Sequence, residues 1–322
     1  MPSDTGKIWT VLEILNWSSD FLSKKKVEDS RTVVEWLLCH VLSCSRMELY
    51  LCFDRPLSDA ELNCFRPMLR DCAAYKPVQQ VLGQTEFYGL VFFVNEHVLI
   101  PRPETERLVE AAIEQGKNIS SQKRIKMLNN MEDRQKEKTD GETMDYLQNP
   151  DIRILDIGAG SGCVSIALAK YLPQGRFFAL EKSREAVSVL QKNIKFHGLD
   201  NRFTVLEEDI MTWTPQDDFD MIVSNPPYIS SDEIPGLDMN VGYYEPIMAL
   251  SDKGDGLGFY RRFAELFSGC LTEQGAAVLE IGGNHQSDMI RAIFEAYNVE
   301  IRKDYQQDDR IAIVARKVAT DE

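Results

Sequence analysis

Hydrophobic and polar positions change their spacing along the chain. From Asp151 onward, short apolar runs alternate with amphipathic stretches of helical period, with helices beginning near Val164 and Ala186. Strands are predicted at 152–155, 176–180, 203–206, 219–223, 276–281 and 311–315. Alternation of this kind builds a mostly parallel sheet with helices on both faces. Residues 151–322 are therefore predicted to form one α/β domain.

The first 80 residues follow a helical pattern throughout. Apolar residues recur at helical spacing over 32–42, with Asp29-Ser30 as the predicted N-cap. Residues 58–61, Ser-Asp-Ala-Glu, have the form of a capping box at the start of a further helix. Residues 1–80 are predicted to form a small helical bundle.

Two segments connect these regions. Residues 81–115 combine glycine-punctuated hydrophobic runs, typical of a β-hairpin, with a linking helix. Residues 116–150 carry mixed charges and few apolar side chains. We interpret them as an exposed polar insertion, either partly disordered or a solvated helix.

Charge and composition restrict the class of protein. The 322 residues carry a formal net charge of -15. Such a surface repels nucleic-acid phosphates, which proteins usually bind through Lys and Arg, so a nucleic-acid partner is disfavoured. No apolar run approaches the ~20 residues that a membrane-spanning helix needs, and the first residues resemble no signal or transit peptide. We expect a cytoplasmic protein without a membrane partner.

The metal-binding residue types form no recognisable site. Seven cysteines and four histidines are scattered without a Cys-x-x-Cys or paired-histidine pattern. We expect free thiols and no metal.

The stretch Asn225-Pro226-Pro227-Tyr228 directly follows the predicted strand at 219–223. Neither proline can donate a ladder hydrogen bond, so strand pairing stops there and the chain is stiff. Ligands of open α/β sheets bind at the carboxyl ends of the strands. The stretch can hold a planar, nitrogen-containing substrate, with Asn225 and a carbonyl as acceptors and Tyr228 against its face. A rigid turn without chemistry is the alternative.

A glycine-rich turn, Asp156-Ile157-Gly158-Ala159-Gly160-Ser161-Gly162, follows the first strand. Its spacing is Gly-x-Gly-x-Gly, which differs from the Gly-x-Gly-x-x-Gly that places a pyrophosphate on a helix end. A carboxylate at Asp156 suits a cationic amino group better than a phosphate. This pattern favours S-adenosylmethionine, which carries an ammonium and a sulfonium group.

Acidic residues also end the next two predicted strands. Glu181 can accept hydrogen bonds from both ribose hydroxyls of such a ligand. Asp209 can accept from an adenine amino group, and Ile210 can offer its backbone amide. A glycine turn followed by two acids in this order predicts a nucleoside-binding edge.

Together these residues resemble the bacterial protein-(glutamine-N5) methyltransferases that modify peptide chain release factors. The resemblance extends over nearly the whole chain outside 116–150, and includes Pro-Arg-Pro-Glu-Thr at 101–105 and Tyr-Glu-Pro at 244–246. Asn-Pro-Pro-Tyr is shared with adenine-N6 methyltransferases of DNA and RNA, so it indicates the reaction type and not the substrate. The 101–105 segment and the N-terminal bundle separate the release-factor branch from the ribosomal-protein glutamine methyltransferases.

The resemblance implies a class I, Rossmann-like methyltransferase with a mostly parallel seven-stranded sheet and an N-terminal helical bundle joined by a β-hairpin. It implies methylation of the side-chain amide nitrogen of the Gly-Gly-Gln glutamine, with S-adenosylhomocysteine as product, by a monomer whose bundle binds the release factor. The family's donor contacts fall on Asp156, Ile157, Gly158, Ala159, Gly160, Glu181 and Ile210, and its substrate pocket on Asn225, Pro226, Pro227 and Tyr228.

Within that pocket we assign catalytic roles to Asn225, Pro226 and Tyr228, and count Asn225 among the donor contacts as well. Relatives more often have Asp at the position of Glu181, which is one methylene longer but keeps two acceptor oxygens. Three alternatives stay open: a ribosomal-protein glutamine methyltransferase, an adenine-N6 methyltransferase of nucleic acid, and a non-catalytic binding protein that retains the fold.

Overall fold

The computed structural model describes residues 8–132 and 151–317, and the chain divides into two compact units. One comprises Met1–Gln84 and Asp238–Tyr244, and the other Thr85–Leu237 and Glu245–Glu322. Within the described ranges, no helix is long and apolar enough to cross a membrane.

The first unit is helical, as predicted. Its N-terminal helices are α1 (Val11–Lys24), α2 (Ser30–Leu42), α3 (Arg46–Leu51), α4 (Asp59–Ala73) and α5 (Val78–Leu82). Ile14, Leu37 and Phe65 are fully buried in the apolar core that these helices share. Burial of this kind is the main stabilising contribution in a unit of this size.

The two predicted caps have different outcomes. Ser58 and Glu61 form the predicted capping box of α4, each side chain accepting from the other residue's backbone N–H. Asp29 occupies the N-cap position of α2, but its backbone is left-handed, with φ of 45°, and its side chain makes no capping hydrogen bond. The N-cap position is therefore as predicted, but Asp29 does not cap the helix through its side chain.

The second unit contains a hairpin and a seven-stranded sheet. The hairpin strands are β1 (Gln84–Phe87), whose first residue belongs to the first unit, and β2 (Leu90–Phe93). The sheet strands are β3 (Ile152–Ile157), β4 (Gly175–Glu181), β5 (Phe203–Glu207), β6 (Phe219–Ser224), β7 (Leu271–Glu280), β8 (Tyr297–Lys303) and β9 (Asp309–Arg316). The remaining helices of the chain are α6 (Thr105–Glu132), α7 (Cys163–Tyr171), α8 (Arg184–Phe196), α9 (Met239–Tyr244), α10 (Gly258–Cys270) and α11 (Ser287–Ile293).

The strand order is β5-β4-β3-β6-β7-β9-β8, and β9 is the one strand of this sheet that runs opposite to the other six. Successive side chains of β3 pack on opposite faces of the sheet. Ile154 packs on the side of α6, α7 and α8, whereas Leu155 packs on the side of α10 and α11. The predicted Rossmann-like fold, with helices on both faces of a mostly parallel sheet, is confirmed.

Two features differ from the sequence-based expectation. Strand β8 was not identified from the apolar runs, because Val299 and Ile301 alternate there with charged residues at the sheet edge. Helix α9 belongs to the first unit although it lies far along the chain. Within that unit Gln80 donates to the Tyr244 carbonyl at 3.0 Å, and the Tyr244 hydroxyl donates to the Ala74 carbonyl at 2.6 Å.

The predicted polar insertion at 116–150 is corrected over its first part. Helix α6 continues to Glu132 without a break. Ile119 is buried in the core beneath the sheet, and Lys123 pairs with the buried Asp220 at 2.6 Å. A narrow buried stripe is easily hidden among polar residues, which is why this stretch resembled an exposed segment. Residues 133–150 of the predicted insertion lie outside the described residues.

Candidate active site

The candidate site lies where the strand order reverses. β3 pairs with β4 on one side and with β6 on the other, so the chain builds the sheet outward from β3 first toward β5 and then toward β7. Asp156 is in register with Val223, and Ile157 with Ser224. The Ser224 hydroxyl also donates to the Ile157 carbonyl at 2.7 Å. The glycine-rich turn and the Asn-Pro-Pro-Tyr stretch therefore start side by side, at the usual ligand-binding edge of such a sheet.

The glycine-rich turn is held by backbone hydrogen bonds to β4. The amides of Gly158 and Ala159 both donate to the Leu180 carbonyl, at 2.8 and 3.1 Å. Gly158 and Gly160 have positive φ, a conformation that favours glycine. A Cβ atom added to Gly158 would meet nothing within 4 Å, so the turn faces open space on that side.

Asp156 carries an acceptor that the protein itself does not satisfy. The side chain is only 2% exposed, and its Oδ2 has no hydrogen-bond partner among the described residues. Burial raises the pKa of Asp156 to about 6, while contacts with Ser165 work in the opposite direction. An orphaned, buried carboxylate oxygen beside an open glycine turn fits a ligand that brings an ammonium group.

The acids at the ends of β4 and β5 already have partners. Glu181 Oε2 accepts from the Gly160 amide at 3.0 Å, and its Oε1 accepts from the Ser183 amide at 2.9 Å. Asp209 pairs with Lys182 at 2.8 Å, which lowers its pKa. Ionised carboxylates have spare lone pairs, so both residues can still accept from a ribose or a purine.

Ile210 follows Asp209 directly in the sequence, and its side chain is buried. Its backbone carbonyl accepts from Arg262 Nε at 3.0 Å. The donor-binding assignments of Glu181, Asp209 and Ile210 stay predictions.

Asn225 sits immediately after β6 with a defined orientation. Its Nδ2 donates to the Thr105 hydroxyl oxygen at 3.1 Å. This bond uses the amide nitrogen, so Oδ1 is the acceptor that the side chain can offer to a ligand. Asn225 is half-buried, whereas Pro226 is buried. The amide oxygen is therefore the atom that Asn225 can offer to a ligand, and its role as a substrate acceptor stays a prediction.

Tyr228 is held at both its hydroxyl and its backbone carbonyl. The hydroxyl donates to Glu280 Oε1 at 3.4 Å, and the carbonyl accepts from Gln286 Nε2 at 3.0 Å. Gly256, with φ of +77°, approaches so closely that an added Cβ would lie 2.2 Å from the Tyr228 oxygen. Burial also raises the pKa of Tyr228, so its phenol stays protonated.

Glu280 is the main site residue that sequence reasoning missed. It ends β7, is 1% exposed, and burial raises its pKa to about 7. Its strand was predicted, and an acid at the carboxyl end of an otherwise apolar strand was the available signal. Thr105 lies inside the 101–105 segment, to which no residue-specific role was assigned.

Asn193 on α8 is a second missed residue. Its side chain is fully buried. It accepts from the Phe93 amide at 2.8 Å and donates to the carbonyls of Phe93 and Ser161 at 3.0 and 2.8 Å. The hairpin and the glycine-rich turn are thereby tied to one helix. A lone Asn in an amphipathic helix carries no sequence signal for such a role.

Comparisons with known proteins show which family this chain resembles. Residues 13–83 match the family model described as the PrmC N-terminal domain, and residues 142–236 match the one described as the methyltransferase small domain. The release factor glutamine methyltransferase of Chlorobaculum tepidum is 34% identical over 315 residues, which cover 96% of this chain and 98% of the relative. The chain belongs to the release factor glutamine methyltransferases.

Other relatives carry the same name. The Geobacter sulfurreducens member is 35% identical, with 87% of each chain covered, and the Bacillus subtilis member is 33% identical, with 94% of this chain and 96% of the relative covered. Among solved structures, the hMettl16 catalytic domain is similar in fold, with a TM-score of 0.52 at 14% identity, covering 78% of this chain and 84% of that one. The family resemblance drawn from the sequence is confirmed.

Proposed function

We propose that this chain is an S-adenosylmethionine-dependent protein-(glutamine-N5) methyltransferase that acts on the Gly-Gly-Gln glutamine of peptide chain release factors. Family membership supports the reaction and the substrate class. One observation supports the site: the amide nitrogen of Asn225 donates to Thr105, which leaves the amide oxygen available to a ligand. The neighbouring glycine turn follows Asp156, whose Oδ2 has no hydrogen-bond partner among the described residues.

The residues of the Asn-Pro-Pro-Tyr stretch would activate the substrate. An amide nitrogen is a poor nucleophile because its lone pair is delocalised into the carbonyl. We propose that Asn225 Oδ1 and the Pro226 carbonyl accept the two N–H groups of the glutamine amide. Two acceptors orient the nitrogen and favour the positive charge that develops on it during methyl transfer. The ring of Tyr228 would pack against the flat amide.

The glycine-rich edge would hold the donor. When bound, S-adenosylmethionine supplies a methyl group on a positively charged sulfur. Asp156 would pair with its ammonium group, and Glu181 would accept from its ribose hydroxyls. Asp209 and Ile210 would contact the adenine. Gly158, with open space above it, would let the backbone approach the ligand closely.

The proton would leave after the methyl group is transferred. A methylated amide that still carries both N–H protons is a strong acid, so no strong base is needed. We propose that Asn225 Oδ1 and the Pro226 carbonyl hold these protons until water accepts one.

The remaining assignments concern partners. We propose that the helical unit binds the release factor away from its reactive loop, and that the enzyme acts as a cytoplasmic monomer without nucleic acid. Activity on whole release factor compared with a short Gly-Gly-Gln peptide tests the role of this unit. Equal efficiency on both would contradict it.

A single labelling experiment tests the proposed function. Purified protein and methyl-labelled S-adenosylmethionine are incubated in parallel reactions, each with one candidate substrate. The candidates are a release factor, the same factor with Ala for the Gly-Gly-Gln glutamine, ribosomal proteins, and duplex DNA. Mass spectrometry should find one added methyl group on that glutamine alone. Label in ribosomal protein or DNA, with none in the release factor, would overturn the proposal.

A further inference from the structure

We infer that Gln286 is a positioning residue, which holds the backbone carbonyl of Tyr228 and thereby sets where the Tyr228 ring lies in the substrate stretch. The inference rests on the proposed function, because the place of this ring affects turnover only where a substrate amide packs against it. Gln286 directly precedes α11, and Tyr228 lies 58 residues earlier in the sequence, shortly after β6.

The orientation of the Gln286 side-chain amide is fixed by two backbone groups. Its Nε2 donates to the Tyr228 carbonyl at 3.0 Å, and its Oε1 accepts from the Gly282 amide at 2.8 Å. A backbone carbonyl can only accept and a backbone N–H can only donate, so a flipped amide would face a like group on both sides. Gln286 is only 2% exposed, so the loss of either bond would leave a buried polar group unsatisfied.

The turn that carries Gln286 is itself closed by hydrogen bonds. The Gln286 amide donates to the Gly283 carbonyl at 3.0 Å. The amide of Ile281, which follows β7, donates to the Arg310 carbonyl on β9 at 2.8 Å. The turn is thus anchored to the sheet, and the side chain of Gln286 is held at its base and at its Oε1. Its Nε2 therefore transmits the position of this turn to the substrate stretch.

Three further contacts define the place of Tyr228. Its hydroxyl donates to Glu280 Oε1 at 3.4 Å, and the next amide, that of Ile229, donates to the Leu250 carbonyl at 3.0 Å. A Cβ atom added to Gly282 would lie 3.1 Å from Tyr228 Cδ2, so the edge of the ring lies close to that backbone. The peptide group between Tyr228 and Ile229 is therefore bonded at both its carbonyl and its amide. Losing the bond to the carbonyl would let the peptide rotate and the ring tilt.

A purely structural role for Gln286 is the alternative, since its Oε1 also satisfies the Gly282 amide within the turn. The two roles use different atoms of one side chain, and substitution by Glu separates them. An ionised Glu still accepts from Gly282 but cannot donate to Tyr228, whereas a protonated Glu can do both. Burial raises the pKa of a Glu from about 4 toward neutral pH, so both forms can be studied.

The central test compares Gln286→Met with Gln286→Glu. Gln286→Met keeps the length of the side chain but removes the donor, so kcat should fall about 10- to 100-fold at every pH. The KM for S-adenosylmethionine should stay within about 3-fold, because the glycine-rich turn is untouched. The ratio of the Gln286→Glu kcat to the wild-type kcat should rise about 10-fold as pH falls from about 8 to about 5. Unchanged kcat in Gln286→Met, or a Gln286→Glu ratio that is independent of pH, would overturn the inference.

The ratio removes the effect of groups that titrate in both proteins. The titratable or charged groups that influence Tyr228 or adjoin Gln286 are Glu280, Arg310, Arg102, Tyr260 and His285. Gln174→Glu is the matched control, because Gln174 donates to the Ser120 hydroxyl at 3.4 Å but lies just before β4, at the amino-terminal ends of the strands. Its kcat should stay within about 3-fold of wild type at every pH. The same pH-dependent ratio in this control would also contradict the inference.

A readout that needs no substrate reports on the Tyr228 carbonyl directly. Tyr-Ile occurs once in the sequence, at 228–229, so ¹³C-carbonyl Tyr and ¹⁵N-labelled Ile together give one correlated NMR signal from that peptide. In the full chain with S-adenosylhomocysteine, Gln286→Met should shift the carbonyl carbon upfield, because the hydrogen bond is lost. Gln174→Glu should leave the signal in place. An unchanged signal in Gln286→Met would overturn the inference.

The two measurements together keep the inference and the proposed function distinguishable. A wild type that methylates no release factor, with the carbonyl signal shifted in Gln286→Met, would refute only the proposed function. A wild type that methylates the release factor, with an equal kcat in Gln286→Met, would refute only the inference.

Discussion

The donor-binding edge and the substrate stretch lie side by side, but they are held in different ways. The turn at 156–160 is fixed by backbone hydrogen bonds to the adjacent strand, and its chemistry comes from consecutive residues. The stretch at 225–228 is fixed by side chains from distant segments, namely Thr105, Glu280 and Gln286. Donor binding is therefore expected to tolerate distant substitutions that misalign the substrate.

The largest expected effect is on the substrate side. Asn225→Ala removes one of the two proposed acceptors, so kcat should fall about 100- to 1,000-fold, the usual cost of losing a preorganised polar group. Asn225 is only one of the predicted donor contacts, so S-adenosylhomocysteine affinity, measured by calorimetry, should change less than about 10-fold. Turnover close to wild type would contradict the proposed role.

The opposite pattern is expected on the donor side. Asp156→Asn removes the negative charge that would pair with an ammonium group, so donor affinity should fall about 10- to 100-fold, the range for hydrogen bonds to charged groups. At saturating donor, kcat should stay within a few-fold of wild type. A kcat loss with unchanged donor affinity would show that the two sides are not separable.

The pH dependence of kcat should differ from that of the donor KM, because different carboxyls act on the two sides of the site. Glu280 has a pKa of about 7 and is the stronger acceptor for the Tyr228 hydroxyl when ionised, so kcat should rise as pH increases through about 7. Asp156, with a pKa of about 6, must be ionised to bind an ammonium, so the donor KM should fall as pH increases through about 6. The titratable or charged groups that influence these carboxyls are Tyr228, Arg310, Glu104, Tyr260, Cys163 and Glu181. One shared transition in kcat and KM would contradict the division.

The free energy of unfolding should fall as pH rises, whereas kcat should increase. Both carboxyls have a folded-state pKa above the ordinary value, so the folded chain binds more protons than the unfolded chain. Their contribution to the free energy of unfolding is therefore lost as pH rises from about 4 to about 7. Glu280→Gln should flatten this fall by about 1 to 3 kcal/mol. Equal slopes in wild type and variant, measured by urea unfolding at pH 5 and pH 8, would refute the assignment.

The smallest effect concerns two glycines with positive φ and free space for a Cβ atom. Gly158 lies in the donor turn, and Gly198 follows α8. Each substitution by Ala should cost about 1 kcal/mol of stability from the left-handed backbone. Only Gly158→Ala should weaken donor binding, because its methyl group enters the space above the turn. Equal donor affinity in the two variants would place the donor elsewhere.

The sequence revealed consecutive features better than distributed ones. The strand ends with Asp156 and Asn225 were located because apolar runs and proline leave local signals. The role of Glu280 was not, because its hydrogen-bond partner Tyr228 lies 52 residues away in the sequence.

Two elements, β8 and α9, were also not predicted from the sequence, for physical reasons. Strand β8 lies at the sheet edge, where charged residues interrupt the apolar pattern, and α9 joins the first unit through tertiary contacts such as Gln80 to Tyr244. Local periodicity reports neither edge pairing nor a distant packing partner.

The most direct test is a crystal structure with S-adenosylhomocysteine and a Gly-Gly-Gln peptide. We predict Asn225 Oδ1 and the Pro226 carbonyl within about 3.2 Å of the glutamine amide nitrogen, and Asp156 as the acid nearest the donor's ammonium group. Asn225 Nδ2 should remain on Thr105. A donor bound away from the glycine turn, or an Asn225 amide that presents its nitrogen to the peptide, would contradict this account.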